Sequence, residues 1–257
     1  ADPEKRFALA VDEIRAINPN TLNLPTFRWT KDAKVTAAIH MAAPILIEKD
    51  GNTVVSSPWK ASMATLFHMS GASEKFIDHA DVADRVARRD GALAELVSGQ
   101  KVYPLYEGKM YWHFDHRYGT YEAQTEKQSN KGVLPRVSED KHRDPLYRVQ
   151  PRYWVDAKLT DSVLADQANR KWFYSWRDVG ISERTLIGTI IPKTATGDKA
   201  PVLFADQTPK QFAALSAVLG SLVADYAVRQ KAMNIKFFVM EQAPALAPEQ
   251  LSQDVAW

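Results

Sequence analysis

The stretch Lys101-Val102-Tyr103-Pro104-Leu105-Tyr106-Glu107-Gly108-Lys109-Met110-Tyr111-Trp112-His113-Phe114-Asp115-His116-Arg117-Tyr118 decides the fold class. Its apolar and aromatic residues fall into two short strand signals, Val102–Tyr106 and Met110–Phe114, separated by Glu107-Gly108-Lys109. Working outward, further strand signals lie at Pro44–Glu48, Trp172–Val179, Arg184–Ile191, Val202–Ala205 and Ile235–Met240. Helices are marked by their caps. Asp2-Pro3 opens a periodic run containing Phe7, Leu9, Val11 and Ile14. Thr30 is placed to cap Lys31 to Met41. Ser73 is placed to cap a helix from Glu74, interrupted at Gly91 and stopped at Gly99. Thr208-Pro209-Lys210-Gln211 joins a capping threonine, a proline at the first helical position and a glutamine at the third, predicting one long buried helix from Pro209 to about Lys231. The polar, proline-containing stretch 124–152 reads as a long loop. The expectation is a mixed α+β fold, an antiparallel-rich sheet with helices at both ends. Residues 1–43 read as a helical lead-in, 44–248 as the main domain and 249–257 as a tail.

The 257 residues are 45% hydrophobic and 25% charged, the profile of a chain with a sizeable core. With no cysteine, disulfides, zinc–cysteine sites, iron–sulfur clusters and thiol catalysis are excluded. The longest apolar-rich run, Phe212 to Ala224, falls short of the roughly 18 residues of a membrane span. The start lacks a signal-peptide pattern and an initiator Met, so the expectation is a cytoplasmic piece of something longer, with no membrane partner. Net charge is only +2. Distribution says more: 101–152 holds ten Lys and Arg against seven Asp and Glu, plus His113, His116 and His142, with Trp and Tyr interleaved. None of the eleven glycines forms a Gly-x-Gly, and Walker, Gly-x-Ser-x-Gly and His-Glu-x-x-His motifs are missing. The chain also lacks the Asn/Asp-Pro-Pro-Tyr/Phe loop that DNA amino-methyltransferases use to hold the exocyclic amine. Its nearest approach is Asn18-Pro19-Asn20.

Several chemistries compete for the 106–118 segment. His113-x-Asp115 with His142 has the ligand types of a non-haem iron site. Glu107-x-Lys109 fits half of a restriction-type nuclease site, with magnesium on carboxylates and lysine beside the attacking water. Its second carboxylate would have to be Asp84 or Asp90. Alternatively, Lys109, His116 and Arg117 touch DNA phosphates or base edges, with Tyr106, Tyr111, Trp112 and Tyr118 as stacking or packing surfaces. An ordinary structural role for the aromatics and an Asp115–Arg117 pair stands beside these. A second cluster, Trp176-Arg177-Asp178 and Glu183-Arg184-Thr185, offers Arg177 and Arg184 as guanine readers or as loop-holding ion pairs.

A larger pattern links these segments. Ile17-Asn18-Pro19-Asn20-Thr21, Pro25-Thr26-Phe27-Arg28, Phe67-His68-Met69, Pro104–Met110 and Phe114-Asp115-His116-Arg117 come first. Pro151-Arg152-Tyr153-Trp154-Val155, Arg177-Asp178-Val179, Glu183-Arg184-Thr185 and Ile190-Ile191-Pro192 follow. The series closes with Asp225–Lys231, Phe237-Phe238 and Pro244. In number and order these resemble the C-terminal target-recognition region of adenine-specific DNA methyltransferases found in type IIG restriction–modification and phage-defence systems. The similarity runs from about residue 17 to 248. It implies a target-recognition-domain-like fold that clasps double-stranded DNA beside a methyltransferase catalytic domain. That domain would hold S-adenosylmethionine and the Asn-Pro-Pro-Tyr loop, leaving this chain with no cofactor, no metal and no catalysis of its own. Gly180-Ile181-Ser182 is shorter than the family's loop and 74–99 more helix-like, so no individual base contact carries over. The DNA-contact set expected from the residues is Lys109, His116, Arg117, Lys131, Arg136, Arg177 and Arg184, with Lys127, Lys141 and Arg143 adding phosphate contacts. The alternatives are a magnesium-dependent nuclease using Glu107 and Lys109, or a protein-contact scaffold in a defence complex.

Overall fold

The computed structural model describes residues 8–251 other than 24, 26 and 182; the expected Asp2-Pro3 helix start and most of the 249–257 tail lie outside them. The fold is mixed α+β with antiparallel sheets. The chain forms two compact units, one from 1–62, 179–187 and 204–257, the other from 63–178 and 188–203.

The first unit opens with α1 (Val11–Ile17) and α2 (Thr30–Ala42). Ile17, Phe27, Ala33 and Ala37 make a small shared core. The helix expected at Lys31–Met41 is present, but Trp29 rather than Thr30 occupies its N-cap. The Pro44–Glu48 strand shifts: β1 (Glu48–Asp50) forms a hairpin with β2 (Thr53–Ser56), while Pro44–Ile47 runs beside 241–245 through backbone bonds such as Leu46 N–H to Ala243 O at 3.1 Å. Asn20 fastens this region. Its side chain donates to Ile47 O at 2.9 Å and accepts from Lys49 N–H at 2.9 Å. β3 (Ala61–Ala64) then leads into the second unit.

In the second unit, β4 (Phe76–Asp78) is followed by α3 (His79–Val82), β5 (Val86–Asp90), β6 (Leu93–Leu96) and β7 (Lys101–Tyr106). The helix expected over 74–99 is therefore largely a β-hairpin. Gly91, at φ +59°, opens the two-residue link between Asp90 and Leu93. Such links favour glycine, and pairing with β7 lets Ala94 and Leu96 bury on one face. Non-local pairing has overridden helix propensity here. The 124–152 loop contains two single-turn helices, α4 (Glu126–Asn130) and α5 (Glu139–Arg143). β8 (Tyr153–Asp156) and α6 (Ala157–Val163) follow. The sheet runs β4-β8-β7-β6-β5, over a core of Val82, Ala94, Leu96, Val102 and Trp154. β9 (Trp172–Trp176) pairs antiparallel with β10 (Gly188–Pro192), so the expected strands over 172–179 and 184–191 are trimmed at Arg177 and before Gly188. β11 (Ala195–Thr196) runs parallel to β7, and β12 (Val202–Ala205) pairs with β9.

Back in the first unit, the single helix expected from Pro209 to Lys231 is two, α7 (Pro209–Leu219) and α8 (Leu222–Arg229), bent by 56°. Gly220 gives up helix cheaply, and Ser221 caps the new start by accepting from Ala224 N–H at 3.1 Å. Thr208 caps α7 as its sequence predicts. The expected strand 235–240 contains α9 (Phe237–Met240), since a short apolar run does not by itself separate strand from buried helix. Among the described residues no single helix is long and apolar enough to cross a membrane.

Candidate nucleic-acid interface

The site grows out of the end of β7. Strand pairing buries Tyr106, and the chain then turns through Glu107 into one helical turn at Gly108–Met110. Glycine is required at 108 because a Cβ there would stand 2.6 Å from Lys199 O. The expected Met110–Phe114 strand is replaced by this turn and by a second, tight turn from Trp112 to Asp115. Tyr111 is fully buried and donates its hydroxyl to Ser175 Oγ at 3.0 Å, because the serine spends its own proton on Pro201 O. Burial pushes the Tyr111 hydroxyl well above the ordinary tyrosine range. Tyr106 and Tyr111 are thus core residues, not stacking surfaces.

Arg177, just past β9, donates to Tyr111 O at 2.6 Å and sets its guanidinium 4.7 Å from the Trp112 ring centre. Trp112 stacks on Tyr118 at 5.3 Å, and Arg136 lies 5.2 Å from the Tyr118 ring centre. Arg177 also lies 5.9 Å from the Tyr118 ring centre, so Arg177, Trp112, Tyr118 and Arg136 form a cation–aromatic cluster. Asp178 is buried and pairs with Lys199 at 3.2 Å, which fixes the residue next to Arg177.

His116 and Arg117 line a cavity of about 320 Å³ with Arg89 and Arg148, on walls that include Pro104, Tyr106 and Trp154. Among the described residues no Asp or Glu lines it. Arg117 donates to Asp144 O at 2.8 Å and His142 O at 2.7 Å, so its charge is displayed while its position is set by the end of α5. Burial, with Arg117 nearby, lowers the affinity of His116 for its proton. Burial and Arg148 act likewise on Arg89. Lys109 borders a separate open groove with Tyr121 and Arg152. It pairs with Glu107 at 3.4 Å and lies 5.0 Å from the Tyr121 ring centre.

Lys127 and Lys131 are exposed, on and just after α4. Lys141 pairs with Glu122 at 2.7 Å, and Arg143 with Glu139 and Asp140. Arg184 lies in the other unit, its guanidinium against Asp225 at 3.4 Å and donating to Gly220 O at 2.9 Å. The expected Asp115–Arg117 pair is a backbone contact, Arg117 N–H to Asp115 Oδ1 at 2.8 Å; the carboxylate's other oxygen meets His142 Nε2 at 3.1 Å. Glu107 accepts the Tyr121 hydroxyl. Among the described residues no three His, Asp or Glu side chains are grouped to hold a metal ion. Arg89 and Arg148 were missed in the sequence because a helix was expected over 74–99 and a featureless loop over 124–152. The Arg88-Arg89 pair just before the Asp90-Gly91 turn was the available signal.

Comparison with protein families, with curated proteins and with solved structures finds no match to this chain.

Proposed function

We propose that this chain binds double-stranded DNA as the target-recognition region of an adenine-specific DNA methyltransferase, beside a catalytic domain that carries S-adenosylmethionine. The observation that supports this most is the cavity bordered by Arg89, His116, Arg117 and Arg148, with no carboxylate among the described residues that line it. The three guanidiniums of Arg89, Arg117 and Arg148 at a concave surface match a phosphate backbone, and the nearby cluster of Arg177, Trp112, Tyr118 and Arg136 adds flat aromatic surface. The ordered motif set between residues 17 and 248 supplies the modification-enzyme context.

The test is duplex binding by fluorescence anisotropy across a salt series, with and without magnesium. The logarithm of the binding constant should fall linearly with the logarithm of salt concentration. Arg89→Gln and Lys131→Gln should each reduce that slope by about 1. Arg184→Gln should leave it unchanged, because that guanidinium is held within the other unit. A flat salt response overturns the proposal. Magnesium-dependent cleavage that disappears in Glu107→Gln would replace it with the nuclease reading.

A further inference from the structure

Phe114 sits where a phenylalanine is costly. Its φ is +56°, the left-handed region that bulky side chains avoid, and it is 64% exposed. Among the described residues the left-handed region is also taken by Gly51, Gly91, Gly99 and Gly132 and by Leu22, Lys60 and Ala123, and Phe114 is the one aromatic residue among them. The strain is not relieved by looseness. The turn is closed twice, by Trp112 N–H to Asp115 O at 2.8 Å and Asp115 N–H to Trp112 O at 3.2 Å. Trp112 is held by Tyr118 and by Arg177, which touches both rings, and Asp115 is held by Arg117 N–H and His142. A rigid base therefore presents one apolar ring to solvent. Two of the residues that hold that base, Arg117 and Arg177, carry guanidiniums.

We propose that Phe114 is a wedge that enters a base-pair step of bound duplex DNA and unstacks it. Apolar side chains inserted between base steps kink the duplex, and they need a stiff mount, because a mobile side chain would fold away rather than part the stack. Flanking cations hold the phosphates while the ring enters. The proposal rests on the DNA-binding reading above and adds to it a residue that distorts rather than reads.

The experiment takes the full chain and a duplex it enriches from a random pool. 2-Aminopurine is placed at successive positions, and its fluorescence reports unstacking. The wild type should brighten the probe several-fold at one step. Phe114→Gly removes the ring and relaxes the backbone, so it should melt no lower than the wild type, keep salt-dependent binding and lose the brightening. Phe114→Leu should keep part of it. Salt-dependent binding with no bright step in the wild type, or brightening that survives in Phe114→Gly, overturns the wedge and leaves the DNA reading standing. No enriched duplex at any salt concentration overturns both.

Discussion

Asp225 shows what a single residue can organise. Its carboxylate is buried and accepts from Thr185 N–H at 2.7 Å and Leu186 N–H at 2.8 Å. Arg184 and Arg229 face it at 3.4 and 3.5 Å, and Arg229 also donates to Thr185 Oγ1 at 2.9 Å. The two motifs Glu183-Arg184-Thr185 and Asp225–Lys231 are therefore coupled by chemistry, a buried acid satisfied by two amides and two guanidiniums. Arg184 attracts notice in the sequence as a base reader because its partner, Asp225, is distant along the chain. His40 makes the fold sensitive to acid. Burial, with the Lys231 ammonium nearby, pushes its imidazole down to about 4. The unfolded chain takes up that proton near 6.5, so folded protein binds fewer protons between these values. The stability contributed by His40 should be full above about pH 6.5 and fall by ~3 kcal/mol as pH drops towards 4. Urea unfolding at stepped pH checks this, and His40→Gln should flatten the profile.

At the scale of elements, two glycines separate conformational strain from collision. Gly91 turns the β5–β6 hairpin at φ +59°, with nothing within 4 Å of an added Cβ. Gly91→Ala should therefore cost only the left-handed backbone penalty, about 1 kcal/mol. Gly108 has an ordinary φ, but its Cβ would strike Lys199 O at 2.6 Å and meet Arg177 Cγ at 3.4 Å. Gly108→Ala should cost ~2 kcal/mol or more and also weaken DNA binding, because the backbone under Arg177 must move. Thermal melts and anisotropy on both variants test the pair; equal stability losses would contradict the collision argument. The same scale shows which elements were legible. Thr208 announces α7 because a cap is local chemistry. The β5–β6 hairpin was hidden because its strands are short, and β7, which completes their pairing, follows a further turn at Gly99.

For the whole molecule, continuity along the chain and compactness part company. One unit draws on three separated segments, while 63–203 contains all of the other plus the short 179–187 stretch. The second unit has its own core around Val82, Leu96, Val102 and Trp154. A fragment spanning 63–203 should fold alone, with a cooperative melt by circular dichroism. A fragment of 204–257, cut off from the segments it packs with, should not. A 63–203 fragment without a cooperative transition would contradict this. All the expected DNA-contact residues lie in that span, and all but Arg184 belong to the second unit, so the fragment should also retain the salt-dependent binding expected of the full chain.

The sequence by itself determined the α+β class, the strand at Lys101–Tyr106, the α7 cap and the basic, aromatic character of 101–152. Each follows from composition, local periodicity or a cap, which act within a few residues. Only the tertiary structure decided which side chains are available. It buried Tyr106 and Tyr111, committed Arg184 to Asp225, and brought Arg89 beside Arg148, His116 and Arg117. It also placed Phe114 at the tip of a strained turn. Those outcomes depend on contacts between residues distant in the chain, where desolvation and partner geometry, rather than residue type, set what a charge or a ring is free to do.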